Sequence, residues 1–68
     1  MVEVESEAIA EIGYEPGTST MAVRFVSGEW YRYFDVSSTV YEAFVTAESH
    51  GRFFQAEIRG KYAYNRGR

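Results

Sequence analysis

The residues best suited to do chemistry in this chain are flat aromatic rings interleaved with guanidinium groups, Arg24, Trp30 and Arg32 above all. A ring can stack on a nucleobase while an arginine holds a phosphate, as on single-strand binding surfaces, where stacking is worth about 1–3 kcal/mol per base. The same residues can instead serve the sheet alone, with Trp30 shielding it and the arginine stems lying over the indole. A second basic group follows at Arg52, Arg59 and Lys61. In Arg59-Gly60-Lys61-Tyr62 two bases and an aromatic surround a glycine, an arrangement that can clamp a phosphate or can tie Arg59 to an N-terminal Glu while Tyr62 is buried. A domain this small needs its last aromatic in the core, which favours the second arrangement.

Catalytic chemistry finds few carriers. His50 is the single imidazole and Cys is absent, and neither Ser37 nor Ser38 has a reason in the sequence to sit beside a base. Glu3, Glu5, Glu7, Glu11 and Glu15 lack the glycine-centred spacing of a calcium loop and read as solvated charge. Gly13, Gly17 and Gly28 stand apart in turns, not in a strand-to-helix phosphate cradle. The expectation is a protein that is not an enzyme, with no metal and no cofactor.

With 68 residues and no Cys, the chain has room for one domain, residues 1–68, held by side-chain packing without disulfides or a zinc knuckle. Hydrophobic residues make up 46% and aromatics 18%, too apolar for a disordered chain. No apolar run approaches the roughly 20 residues of a membrane span, and the acidic start lacks the basic region of a signal peptide, so the expectation is a cytoplasmic protein with no membrane partner. The net charge of −3 conceals a gradient: residues 1–20 carry −5, and residues 49–68 carry +4. Such polarity pairs the two ends of the fold or presents a basic face to a polyanion.

Three strands must position these groups. Residues 9–14 are short, apolar and closed by a Pro-Gly turn; residues 20–26 alternate Met21, Val23 and Phe25 onto one face; residues 30–34 are aromatic. Ser27-Gly28 joins the last two as a hairpin. A two-residue loop there turns Trp30, Arg32 and Phe34 toward Met21, Val23 and Phe25 and drives a guanidinium into the core. A loop longer by one, with a glycine bulge, turns Tyr31 and Tyr33 inward and leaves Trp30, Arg32 and Phe34 outside with Ala22 and Arg24. The second is favoured, since an unpaired buried guanidinium costs several kcal/mol and a Tyr hydroxyl can reach the rim.

After Asp35-Val36 a Ser can cap a helix whose apolar stripe is Val40, Tyr41, Phe44 and Val45. Ser49-His50-Gly51 interrupts it, a second short helix covers residues 52–58, and Gly60 stops it. Residues 61–64 alternate and suit a short extended segment; residues 1–6 and 65–68 are expected to fray. Two helices packed on one face of a three-stranded antiparallel meander make an α+β domain, with a short C-terminal strand as an option.

Ile12-Gly13-Tyr14, Tyr31-Arg32-Tyr33-Phe34-Asp35-Val36, Ser49-His50-Gly51-Arg52-Phe53-Phe54 and Ile58-Arg59-Gly60-Lys61-Tyr62 stand in an order and spacing that resembles the KTSC domain. That family is named for the C-terminal extension of some lysyl-tRNA synthetases and also occurs as small stand-alone bacterial proteins. The resemblance spans about residues 6–64 and centres on a Tyr-x-Tyr motif, here Tyr31 and Tyr33; Gly51, Phe53, Gly60 and Tyr62 complete it as residues with structural roles. The chain departs from the pattern in having Ser37 where a Pro commonly follows Asp-Val. The resemblance implies no established activity and suggests RNA binding. The expectation is a binding module for RNA or tRNA using Arg24, Trp30, Arg32, Arg52, Arg59 and Lys61. The alternative is an interaction domain that docks a protein partner through its sheet face or edge.

Overall fold

The alternating apolar positions of residues 9–15 and 20–25 are satisfied when both segments lay the same face on one core. They do so in the computed structural model, which describes residues 1–4 and 6–67. The elements run β1 (Val2–Glu3), β2 (Ile9–Glu15), β3 (Thr20–Phe25), β4 (Trp30–Tyr33), α1 (Ser38–Val45), α2 (His50–Phe53), a π-helical turn (Phe54–Ile58) and β5 (Tyr64–Arg66). The strands form one antiparallel sheet whose spatial order is their chain order, β1-β2-β3-β4-β5. The helical segments cover one face, so the molecule is α+β with two layers.

The hairpin joining β3 and β4 adopts the longer of the two loops. Phe25 pairs with Glu29 through a 2.8 Å hydrogen bond, Gly28 N–H donates to the Phe25 carbonyl, and Gly28 takes φ +97°, the left-handed geometry of a glycine bulge. The register that follows sets Met21 opposite Tyr33, Val23 opposite Tyr31 and Arg24 opposite Trp30. Tyr31 and Tyr33 therefore face the helices, and Arg24, Trp30 and Arg32 face away.

In β2 the register shifts between Ile9 and Glu11. One residue is left over at the shift, so Ile9 and Ile12, three apart, are both buried. With Met21, Val23, Tyr33, Val36, Phe44, Phe54 and Ile58 they form the core. Phe44 stacks on Phe53 at 5.3 Å, while Phe54 meets Phe25 and Tyr33 edge-on at 5.3 and 5.8 Å. Each such aromatic pair adds about 0.5–1.5 kcal/mol beyond its burial, which matters in a domain with no covalent crosslink. Tyr14 closes the other end of the core: it stacks on Tyr41 at 4.9 Å and donates its hydroxyl to the Val36 carbonyl at 2.6 Å.

Three details depart from the expectations. The sheet has five strands: β1, in a stretch expected to fray, pairs as one edge, and the C-terminal strand held open as an option forms the other as β5, beginning at Tyr64 and running on into residues expected to fray. Both are two or three residues long, so pairing with β2 and β4 defines their bounds. Glu5 and Arg68 lie outside the described residues. The second helix begins at His50, not Arg52, because the Ser49 hydroxyl accepts from Arg52 N–H and caps it. Its second half is π-helical, with Arg59 N–H bonded to the Phe54 carbonyl at 2.8 Å. Gly60 ends it at φ +76°, as expected. Ser37, at the family's Pro position, caps α1 by accepting from Val40 N–H. Among the described residues no helix is long and apolar enough to cross a membrane.

Candidate functional site

The six basic and aromatic residues singled out from the sequence fall on two sides of the molecule. Arg24, Trp30 and Arg32 share the uncovered face of the sheet, with Ala22 and Gly13 between the strands. There Arg24 pairs with Glu11, and its guanidinium lies 6.0 Å from the indole centroid of Trp30. Glu3 sits beside Glu11 on the same face. The Met1 side chain crosses Gly13 so closely that an added Cβ would lie 3.0 Å from its Cε.

Arg52, Arg59 and Lys61 are exposed and belong to the helical layer and the turn that follows it. Among the described residues Arg59 forms no ion pair with an N-terminal Glu. It donates instead to Gln55 Oε1 at 3.0 Å, one helical turn back. The pairing expected from the charge gradient is thus replaced by a local contact. Tyr62 is half-buried and packs against the core, in keeping with the structural role expected of it.

Between the helical layer and the exposed end of the sheet lies a groove of about 820 Å³. One wall is a run of tyrosines. Tyr31 stacks on Tyr33 at 6.3 Å and on Tyr64 at 5.6 Å, because β4 pairs with β5 so that Tyr33 stands opposite Tyr64. Phe25 and Phe54 also line it, with Gln55 of the π-helical turn and with Arg59 and Gly60 just beyond that turn. Glu7 and Glu29 lie on the hairpin side. Glu29 is held by Arg66, whose guanidinium also lies 6.0 Å from the Tyr31 ring centroid.

Burial pushes the Tyr33 phenol up to about 12, helped by the neighbouring Tyr31 and Tyr64 and opposed by Arg59. Tyr33 is only 4% exposed, yet no buried polar side-chain atom among the described residues lacks a partner, and no described group hydrogen-bonds to its hydroxyl. The hydroxyl is therefore the part of Tyr33 that reaches the groove.

Phe25, Phe54 and Tyr64 were not singled out as site residues. The signal for Tyr64 was present in the alternation of residues 61–64, but only the β4–β5 register places it beside the Tyr-x-Tyr pair. Gly51 takes no positive φ and nothing lies within 4 Å of a Cβ added there, so packing does not demand a glycine at that position. His50 Nε2 sits 3.0 Å from the Val45 carbonyl, joining the two helices. Among the described residues no three His, Asp or Glu side chains gather closely enough to hold a metal ion.

The arrangement matches known proteins in sequence and in fold. A protein from Tsukamurella paurometabola is 37% identical over 62 residues, which is 91% of this chain and 92% of that protein. Lysine–tRNA ligase from Trichormus variabilis is 39% identical over 64 residues, 94% of this chain but 11% of the ligase, so the chain spans a small fraction of that enzyme's length. The crystal structure of a KTSC domain protein from Yersinia pestis superposes with a TM-score of 0.92 at 32% identity, covering 98% of this chain and 94% of that one. The family model of the KTSC domain matches residues 5–62, and with the Tyr-x-Tyr pair, the two capped helices and the glycine stop all in place, the chain belongs to the KTSC domain family.

Proposed function

We propose that this KTSC domain is a non-enzymatic cytoplasmic binding module whose ligand is RNA. The observation that carries the reading is the conversion of the charge gradient along the chain into a gradient across the molecule. Strand order follows chain order, so Glu3, Glu11 and Glu15 lie on β1 and β2, while Arg32 and Arg66 lie on β4 and β5. The exposed Arg52, Arg59 and Lys61 lie in the segment that leads into β5, and Arg59 lines the groove with Tyr31, Tyr33 and Tyr64. Cations next to open aromatic faces suit an unpaired strand, whose phosphates and bases are both accessible. The likeness to lysine–tRNA ligases, enzymes that act on an RNA, supports the same reading.

Labelled tRNA and an unstructured RNA, titrated at low and at physiological salt, test it. Expected is affinity near micromolar at low salt that falls steeply as salt rises, since each neutralised phosphate releases a counterion. Absence of binding at low salt overturns the reading.

A second reading, docking of a protein partner on the uncovered sheet face, draws on the balanced Glu11–Arg24 pair and the Trp30 and Met1 side chains there. A face whose Arg24 is already engaged by Glu11 suits an apolar contact better than a polyanion. A partner captured by the wild type and lost on Trp30→Ala, with RNA affinity unchanged, would support it.

A further inference from the structure

We propose that the groove between the tyrosine run and the π-helical turn holds a single unstacked nucleotide, its base against Tyr64 and Tyr31 and its phosphate on Arg59. The inference rests on the RNA reading and names the site and the unit recognised.

Three features of the groove select this occupant. The first is volume: about 820 Å³ lies within the range of sites that enclose a small ligand, and it is open enough for a strand to enter and leave. The second is ring geometry. Tyr64 is 57% exposed and stacks on Tyr31, so the run ends in an uncovered aromatic face where a base can continue the stack. Phe25 and Phe54, packed edge-on against each other at 5.3 Å, add apolar lining to the groove.

The third feature is charge. Among the groove's described lining residues Arg59 is the only cation. It forms no ion pair among those residues, and its bond to Gln55 uses one of its five donors. Of the two carboxylates in the lining, Glu29 is already neutralised by Arg66, and Glu7 precedes Ala8, whose carbonyl accepts from Val26 N–H in the hairpin. The anion end of an occupant is thereby directed to Arg59. Gln55 and the Tyr33 hydroxyl are placed to hydrogen-bond the edge of the base. A phenol held protonated can still donate there. The π-helical turn contributes Phe54 and Gln55 to the groove, and such turns recur at functional sites.

Amide chemical shifts of the wild-type domain, recorded with adenosine monophosphate, adenosine and inorganic phosphate in turn, locate the site. The monophosphate is expected to move Tyr31, residues 54–60 and Tyr64, and to bind more tightly than either fragment. Shifts confined to Ala22, Arg24, Trp30 and Arg32, or none at millimolar ligand, would overturn the proposal.

Labelled single-stranded RNA then separates this proposal from the one it rests on. Tyr64→Ala is expected to weaken binding roughly 5- to 150-fold, the equivalent of one lost base stack. Arg59→Gln is expected to reduce the slope of log affinity against log salt by about 1 unit. Both positions are exposed, so both variants should fold, which the amide spectrum verifies. If the wild type binds RNA and neither variant differs from it, the groove is not the site while the RNA reading stands. If the monophosphate occupies the groove but no RNA binds, the RNA reading fails, and with it the claim that the nucleotide is part of a strand.

Discussion

The two faces of this sheet are made from the same five strands, yet they do different work. The inner face is aromatic and largely sealed: Ile12, Met21, Val23 and Tyr33 are buried, and only toward β5 does the covering stop, leaving the tyrosines beside a groove. The outer face bears Glu11, Arg24, Trp30 and Arg32 with no helix over it. There Arg24 is paired with Glu11. The contrast shows that a residue's suitability for binding depends on whether its neighbours have already used its chemistry. Arg24 next to Trp30 resembles a nucleic-acid contact in the sequence but is engaged by Glu11 in the fold. Arg59 resembles a structural tie and is left available for an anion.

Substitutions matched across the two faces make the contrast measurable by urea unfolding. Tyr33→Ala removes a buried ring that meets Phe54, Tyr31 and Tyr64, and is expected to cost about 3–5 kcal/mol, a large part of the stability of a domain this size. Trp30→Ala removes a cross-strand cation–π partner and is expected to cost about 1 kcal/mol. Equal losses would show that the outer face is as much a part of the core as the inner one.

Alkaline titration examines the sealed face on its own. The Tyr33 phenol is raised from 10.0 to about 12 by burial, so the fold favours its protonated form. The stability that depends on the protonated phenol is therefore present below pH ~10 and is lost as pH rises toward ~12. A late tyrosinate step, removed by Tyr33→Phe, is the expected absorbance signature.

Tyr14→Phe separates packing from polarity at the closed end of the same face. The ring still stacks on Tyr41, but the Val36 carbonyl loses its 2.6 Å donor, for an expected loss of about 1–2 kcal/mol in urea unfolding. No measurable change would mean that water replaces the hydroxyl there.

The smallest effects are expected at two glycines of the family pattern, and with opposite signs. Gly60→Ala forces a side chain onto φ +76° and should destabilise by about 1 kcal/mol. Gly51→Ala meets open space inside α2 and should stabilise by about 0.5 kcal/mol. Thermal melting resolves both. A loss at Gly51 would reveal a constraint that its surroundings do not show.

Much of this architecture was legible in the residues themselves. The alternation of Met21, Val23 and Phe25, together with the cost of burying Arg32, was enough to choose the three-residue hairpin loop and so to turn Tyr31 and Tyr33 inward. Ser37 and the Gly60 stop could be read because capping and positive φ depend on a few neighbouring atoms. The same local chemistry at Ser49 went unread, since Gly51 suggested a break where the chain in fact starts a helix. The strand β1 has no local signal, and the alternation of residues 61–64 hinted at β5 without fixing its bounds, because a two- or three-residue edge strand is defined by the partner it pairs with.

What the sequence determined by itself was the covalent order of charge, the periodicity of the core and the turns that punctuate it, all of which act over a few residues. The tertiary structure alone decided which cations stay available and where aromatic faces remain open. Those outcomes depend on contacts between residues far apart in the chain: Glu11 with Arg24, Glu29 with Arg66, and Tyr33 with Tyr64. Strand order and register set such distances, and no short window of residues encodes them.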